Sequence, residues 1–488
     1  MTDSQSLNTD VLIVGAGPVG LFLANECARR ALRFRIIEAR PAQSQHSKAL
    51  AIFPRTLEIL DMAGLAEPFL AQANHVTSVA VVVHEHRLAH LRFAPEQTPY
   101  PFVAMVPQDV TEALLAGQLR HGGGSVEYET TFVSALEENE AVTVNAVQKG
   151  ISKRFRTSFL VGCDGAHSAV RHLLDLPFAG GDYSASFMLA DVETNEALPA
   201  DEMQLCPHES GPVAIFPMSA TRRRIVASVE DAAGDAPSLD LVRRLLTERA
   251  PAGLEARSLR WSTYFRIHHR HTAQLRVGRI FIAGDAAHIH SPFGGQGMNT
   301  GLHDVWNLVW KLDLAVRGHA NETLLDSYTT ERLPIIQDVI DNTDFLTKAL
   351  GTPSRLAQAL RNTLIPALSR LPLFQHALVN RLSGLQIDYA RSPIVAGGGQ
   401  RFFADTVRGG KGIGSRFVLL VGGRENLAGK ESAQRFANSL SDIVEARFTA
   451  RDATTLVRPD GYVAYSADHG VGTAELNSVR ALLARQTQ

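Results

Sequence analysis

The sequence predicts an α/β protein built around a Rossmann-type parallel sheet. Three segments predict it, each an apolar strand stopped by glycine or aspartate. Val11–Val14 runs into Gly15-Ala16-Gly17-Pro18-Val19-Gly20; Phe159–Val161 runs into Gly162-Cys163-Asp164-Gly165; Ile280–Ala283 runs into Gly284-Asp285. Short, wholly apolar strands are those of a sheet covered on both faces.

The first segment carries a full dinucleotide signature. A strand precedes GxGxxG, the amphipathic helix Leu21–Arg30 follows, and the strand Arg33–Ile37 ends in Glu38. Gly15 permits a tight turn, Gly17 lets a pyrophosphate approach, and Gly20 lets helix pack on strand. Glu38 can accept ribose hydroxyls and would repel a 2′-phosphate. The motif alone does not separate FAD from NAD.

The middle segment, through Ala166-His167-Ser168-Ala169-Val170-Arg171, reads by itself as a plain Asp-Gly turn. In the last, the loop Pro292-Phe293-Gly294-Gly295-Gln296-Gly297 leads into a helix near Met298-Asn299. A carboxylate beside close-approach glycines and a helix N-terminus suits a ligand with hydroxyls and an electron-rich ring, as in the ribityl chain and isoalloxazine of a flavin. A generic strand–turn–helix is the plainer reading.

Together, in this order, the three motifs resemble the single-component, FAD-dependent aromatic hydroxylases with the p-hydroxybenzoate hydroxylase fold. The resemblance covers most of residues 8–395 and is strongest to the phenol hydroxylase and aromatic-polyketide hydroxylase branch. It implies an α/β fold with a Rossmann-type FAD-binding domain (1–75, 103–180 and 277–395, with a helical extension). It also implies an inserted β-sheet-rich substrate domain (76–102 and 181–276) and a small thioredoxin-like C-terminal domain without cysteines (396–488).

The resemblance also assigns roles. Gly15, Gly17, Pro18, Val19 and Gly20 would meet the FAD pyrophosphate. Glu38 and Ala39 would meet the ribose, and Arg40 the adenine end. Gln108 would reach the ribityl-phosphate region, and Val133 would offer backbone to the adenine. Asp164 belongs to a turn used for FAD and NAD(P)H, and Asp285 would bind a ribityl hydroxyl. Pro292 would lie near the reacting flavin face, and Gly295, Gly297, Met298 and Asn299 near flavin N1 and O2. Many relatives carry arginine where this chain has Lys48, which keeps the charge on the cofactor phosphate and loses the bidentate fork. Arg55 reads equally as functional or as a surface arginine at a helix start.

Substrate contacts are less legible. Phe187, Met203, Phe216, Tyr264 and Phe265 are candidates, each also a natural core residue. No general base stands out. Arg222-Arg223-Arg224 reads as a solvated hairpin turn, Gly397-Gly398-Gly399 as a linker, and Trp306 with Trp310 as core at helical spacing. His268, His269, His271, His288 and His290 lack a carboxylate-rich partner motif, so no metal is expected.

Bulk properties are ordinary for a soluble globular protein, with 45% apolar and 20% charged residues. The 488 residues carry 48 basic and 50 acidic side chains, a net charge of −2 that gives no hint of a nucleic-acid surface. Cys27, Cys163 and Cys206 fit no zinc or redox spacing, as in a reducing cytoplasm. No stretch reads as a membrane span. The expected partners are a small aromatic substrate, O2 and transient NADPH or NADH, with room for a homodimer. The implied activity is hydroxylation of a phenolic or polycyclic aromatic through a flavin C4a-hydroperoxide. Two alternatives stay open: Baeyer–Villiger oxidation of a related ketone, and a flavin-binding module without turnover.

Overall fold

The computed structural model describes residues 9–44, 47–83, 86–95, 97–138, 140–229, 234–291, 294–350, 366, 369, 371–408, 414–423 and 427–487. Its first sheet is parallel where the apolar strands lie. Thr9–Val14 pairs with Phe34–Ile37 on one side and Ile151–Gly162 on the other, and Ile280–Ile282 adds beyond the latter. Val11, Leu12 and Ile13 are fully buried, in one core with Leu21, Phe22 and Leu23 of the following helix and with Phe132, Val142 and Val144 of the antiparallel strands Thr130–Glu138 and Ala141–Gln148. The helix Pro18–Arg29 has proline at its first turn, where no backbone N–H is missed.

The second sheet has eight strands and is drawn from separate stretches of chain. Ser78–Val83 and His86–Arg92 come from the first stretch. Ala179–Thr194, Glu202–Cys206, Val213–Pro217, Arg222–Val229 and Ala256–His271 come from the second. Its far edge is the short strand His288–Ile289. Period-two alternation sorts its faces. Met188, Ala190 and Val192 point toward the helix Leu239–Arg249 and pack on Val242, Leu245 and Leu246. Phe187 and Leu189 point the other way.

The third sheet orders Val444–Phe448, Phe417–Val421, Thr454–Val457 and Val463–Ala467. The first pair is parallel and the rest antiparallel. Helices Leu427–Ser439 and Thr473–Ala484 share its core. Helix Gly297–Val316 joins this unit to the main core. Trp306 stacks on Phe22 at 6.2 Å, while Trp310 meets Phe417 edge-on at 5.5 Å. Both indole N–H groups donate to Asp460, one to its carbonyl at 2.9 Å and one to its carboxylate at 3.2 Å.

Three expectations change. Arg222–Arg224 open a strand instead of forming a turn, and Arg223 and Arg224 are 0% and 2% exposed. Gly397–Gly399 is no free linker: Ala396 bridges Tyr465, Gly399 N–H donates to Val463 O, and Gly399 O accepts from Tyr389 N–H. Arg55 is wholly buried, paired with Glu58 at 2.9 Å beneath the Tyr462 ring. In each case a partner distant in sequence decides burial. Among the described residues, no helix is long and apolar enough to cross a membrane, and no group of three or more His, Cys, Asp or Glu gathers as for a metal ion.

Candidate active site

The parallel register sets Val14 level with Ile37 and Gly162, and Gly162 level with Ile282. Gly15, Glu38, Cys163-Asp164 and Gly284-Asp285 therefore all emerge on one carboxyl edge. Ligands of such sheets bind outside that edge.

Two glycines there differ in what they allow. Gly15 has φ +100°, and a Cβ on it would overlap the Cys163 carbonyl. A Cβ on Gly17 would meet no protein atom within 4 Å. The protein's own packing does not demand glycine at 17. The space it leaves open sits at the N-terminus of Pro18–Arg29, where backbone N–H groups and the helix dipole favour an anion. That opening fits a pyrophosphate. Val19 makes a contact within the protein. Its methyls fill the place of a side chain at both Gly284 and Gly301, locking the first motif onto the third.

Glu38 is nearly buried and well held. It accepts from Ala16 N–H at 2.8 Å and from Arg40 N–H and Nε at 3.0 Å each. Burial raises its pKa, and the Arg40 side chain with the two amides outweighs that, leaving it lowered. Ala39 is exposed beside it. Val133, 58% exposed, occupies a bulge of the Thr130–Glu138 pairing, so its backbone steps out of the ladder.

Several of the residues expected at the cofactor also brace the protein internally. The Asp164 carboxylate accepts from Ser168 Oγ and from Ala169 and Val170 N–H, capping the next helix, so its turn offers a ligand backbone instead of a free side chain. Gln108 accepts from Ala49 N–H at 3.1 Å and donates to Glu112 at 3.0 Å. The Asn299 side chain accepts from Phe53 N–H and donates to Ala51 and Gly295 carbonyls. It ties the segment under the second sheet to the loop that starts Gly297–Val316. Met298 packs into the main core. Pro292 lies outside the described residues.

Asp285 stands where that edge meets the loop. Solvent reaches its side chain, yet the surrounding protein pushes the carboxyl up, against lowering by His288 and Lys48. Nearby, His290 sets Nδ1 3.0 Å from Ser291 O, and a Cβ on Gly297 would lie 3.7 Å from its Nε2. Burial holds this ring neutral, its pKa brought down to about 4.

Two buried polar groups escaped sequence reasoning. Arg224 makes a two-point pair with Asp191 (2.7 and 2.9 Å) and donates to the carbonyls of Lys48 and Ala49 and to Ser47 Oγ. Asp304, fully buried, accepts from His288 Nε2 at 2.7 Å, Arg332 Nε at 2.8 Å and Gly284 N–H at 3.1 Å. The available signal was an acid inside an apolar strand (Asp191) or helix (Asp304), since a buried charge requires a partner.

Above the loop lies an apolar roof. Met203, with Leu205, Phe216 and Met218 beside it, packs with Leu50, Ala51 and Phe53 below and Val379 and Leu382 at the side. A Cβ on Gly295 would touch Ala51 and Phe53 at 3.4 Å, so roof and loop are neighbours. Phe187 and Phe265 stack at 5.8 Å on the same sheet face. Tyr264 does not join them: it faces the cluster beneath Leu239–Arg249. Position parity in the strand separates it from Phe265.

Comparison with known proteins agrees with this geometry. The family profile described as FAD binding domain matches residues 8–343. The 6-methylpretetramide 4-monooxygenase of Streptomyces rimosus is 35% identical over 80% of this chain and 71% of its own. The 12-dehydrotetracycline 5-monooxygenase/anhydrotetracycline 6-monooxygenase of Streptomyces rimosus subsp. rimosus is 32% identical over 95% and 96%. The solved anhydrotetracycline hydroxylase OxyS of Streptomyces rimosus superposes with a TM-score of 0.79 at 28% identity, covering 97% of this chain and 98% of that one.

Proposed function

The chain belongs to the FAD-binding-domain family, in its branch of flavin-dependent aromatic hydroxylases, and on that premise we propose how its own residues serve the reaction. It is a monooxygenase that uses FAD, NAD(P)H and O2 on an aromatic substrate. Bound FAD supplies the redox and oxygen-transfer chemistry, and the protein supplies binding, orientation and a dry surround.

The opening at Gly17 and the N-terminus of Pro18–Arg29 hold the pyrophosphate. Glu38 would accept from ribose hydroxyls, with Arg40 steadying that carboxylate, and the bulged backbone of Val133 would serve the adenine. Asp285 accepts from the ribityl chain. The helix N-terminus at Gly297 would hold the pyrimidine edge of the ring, where its dipole would favour negative charge. Gln108, Asn299 and Asp164 act by shaping backbone. The observation that carries this assignment is the level register of Val14, Ile37, Gly162 and Ile282, which brings every motif to one edge.

The substrate binds between that edge and the roof of Met203, Leu205 and Phe216. An apolar, aromatic lining of this extent suits a flat multi-ring phenol, and the relatives named for tetracycline-type compounds point the same way. By excluding water, the roof suppresses wasteful oxidation of NAD(P)H.

A panel of one- to four-ring phenols, screened for faster NADPH or NADH oxidation with products located by NMR, tests the reading. Acceleration by a multi-ring phenol and a new ring hydroxyl are expected. Oxygen inserted beside a ketone carbonyl, or oxidation that no aromatic accelerates, would overturn it.

A further inference from the structure

The helix Glu322–Leu350 carries two adjacent buried charges that serve different neighbours. Glu331 turns to the third sheet: Arg458 binds both its oxygens (2.6 and 2.9 Å), joined by Lys311 and Ser392. Arg332 turns to the candidate active site. Its Nε reaches Asp304, and Asp304 holds both His288 and Gly284 N–H. Asp304 thus grips both flanks of the turn that presents Asp285.

Tyr389 stands between these two systems. Its hydroxyl accepts from Arg332 Nη1 at 3.2 Å, while its ring lies 5.0 Å from the Arg458 guanidinium and 4.4 Å from the Tyr462 ring. Glu331, Arg332, Asp304, Arg458 and His288 are each at most 3% exposed, and Tyr389 is 5% exposed. Buried ionic groups are poor sources of net stability compared with apolar side chains of like volume. What such a chain supplies is fixed geometry, because each group has one arrangement that satisfies its neighbours.

From this juxtaposition we infer that Tyr389 is a positioning residue for the flavin, coupling Arg458 of the C-terminal unit to the Asp285 turn through Arg332 and Asp304. The C-terminal unit, which has no cysteine for redox work, thereby acts on the geometry of the active site. This rests on the flavin assignment proposed above.

The test uses FAD-loaded full-length protein and the variants Tyr389→Phe, Arg458→Met and their double. Flavin visible circular dichroism, FAD dissociation constant and melting temperature are measured for each. Tyr389→Phe keeps the ring and removes only the hydroxyl. Each single variant is expected to alter the flavin dichroism and weaken FAD about fivefold or more. The double should be no worse than Arg458→Met alone, as for two links of one path. If Arg458→Met fails to fold, Tyr389→Phe alone decides. Lower melting temperatures with unchanged dichroism and affinity would overturn the inference. Failure of the wild type to bind FAD would instead overturn the flavin assignment itself.

Discussion

Arg224 of the second sheet holds the backbone carbonyl of Lys48 at 2.8 Å while gripping Asp191 with the same guanidinium. The basic residue expected at the cofactor phosphate is thus set in place from the second sheet. Among the described residues, Arg224→Met leaves Asp191 with only the longer contact to Arg222 at 3.5 Å. The variant should lose about 3–5 kcal/mol of stability. Adding Asp191→Leu should restore much of the melting temperature without restoring FAD affinity, because the Lys48 segment stays unheld. Full recovery of affinity in the double variant would show that Arg224 serves stability alone.

Gly15 and Gly17 should behave differently when changed to alanine. Gly15→Ala drives Cβ into the Cys163 carbonyl at a positive φ, so the protein should melt earlier with or without FAD. Gly17→Ala meets open space, so the FAD-free protein should melt as wild type while FAD binding weakens about tenfold or more, equivalent to about 1.4 kcal/mol. Fluorescence titration with FAD and thermal melts separate the two, and normal FAD affinity in Gly17→Ala would remove the pyrophosphate from that opening.

Asp285→Ala should purify with less FAD, since it deletes a hydroxyl acceptor beside Lys48 and His288 without disturbing the Asp304 bonds that shape the turn. The flavin-to-protein absorbance ratio measures this. A full complement of flavin would place the ribityl chain elsewhere.

Removing residues 400–488 should abolish soluble, folded protein. It would strip Arg458 from Glu331, Asp460 from both tryptophan indoles, and Phe417 from Trp310. Lys311 and Glu331, both fully buried side chains, would face solvent beside an uncovered apolar surface. Far-ultraviolet circular dichroism and gel filtration read the outcome. A monomeric, cooperatively melting truncation would show that the unit is separable.

Acid should weaken the fold through His290. Burial lowers its native pKa to about 4, so the unfolded chain takes up a proton near the ordinary value of about 6.5 that the native state refuses. Its contribution to stability is therefore full above that range and is lost as pH falls from about 6.5 toward 4, by at most about 1.4 kcal/mol per pH unit. His303, lowered in the same direction by burial, adds to the loss. The variant His290→Gln should show a shallower fall in melting temperature across that window. An identical slope would exclude the histidine as its source.

The parts visible in the sequence were those fixed by local backbone needs. Gly15, Gly284 and the strand ends are read from composition and order, because a turn with no room for Cβ leaves a glycine behind. The roof was half visible. Phe187 and Met203 could be named as apolar candidates, but Tyr264 fell on the wrong face, since a shift of one residue reverses a strand's outlook. Arg224 and Asp304 were hidden for a different reason. Their positions depend on partners 33 and 28 residues away, Asp191 and Arg332, and charge runs ordinarily stay in water. The triple arginine reads as a turn in sequence because its partner Asp191 lies on another strand.

The short strand His288–Ile289 has a practical consequence. It closes the second sheet against Arg270 and His271, yet it begins three residues after Asp285. An engineer who exchanges the second sheet for that of a relative must therefore carry His288 and Ile289 with the graft and keep Asp304 and Arg332 to receive them. A cut at residue 276 alone would leave the host's His288–Ile289 to pair with a foreign strand in place of Arg270 and His271.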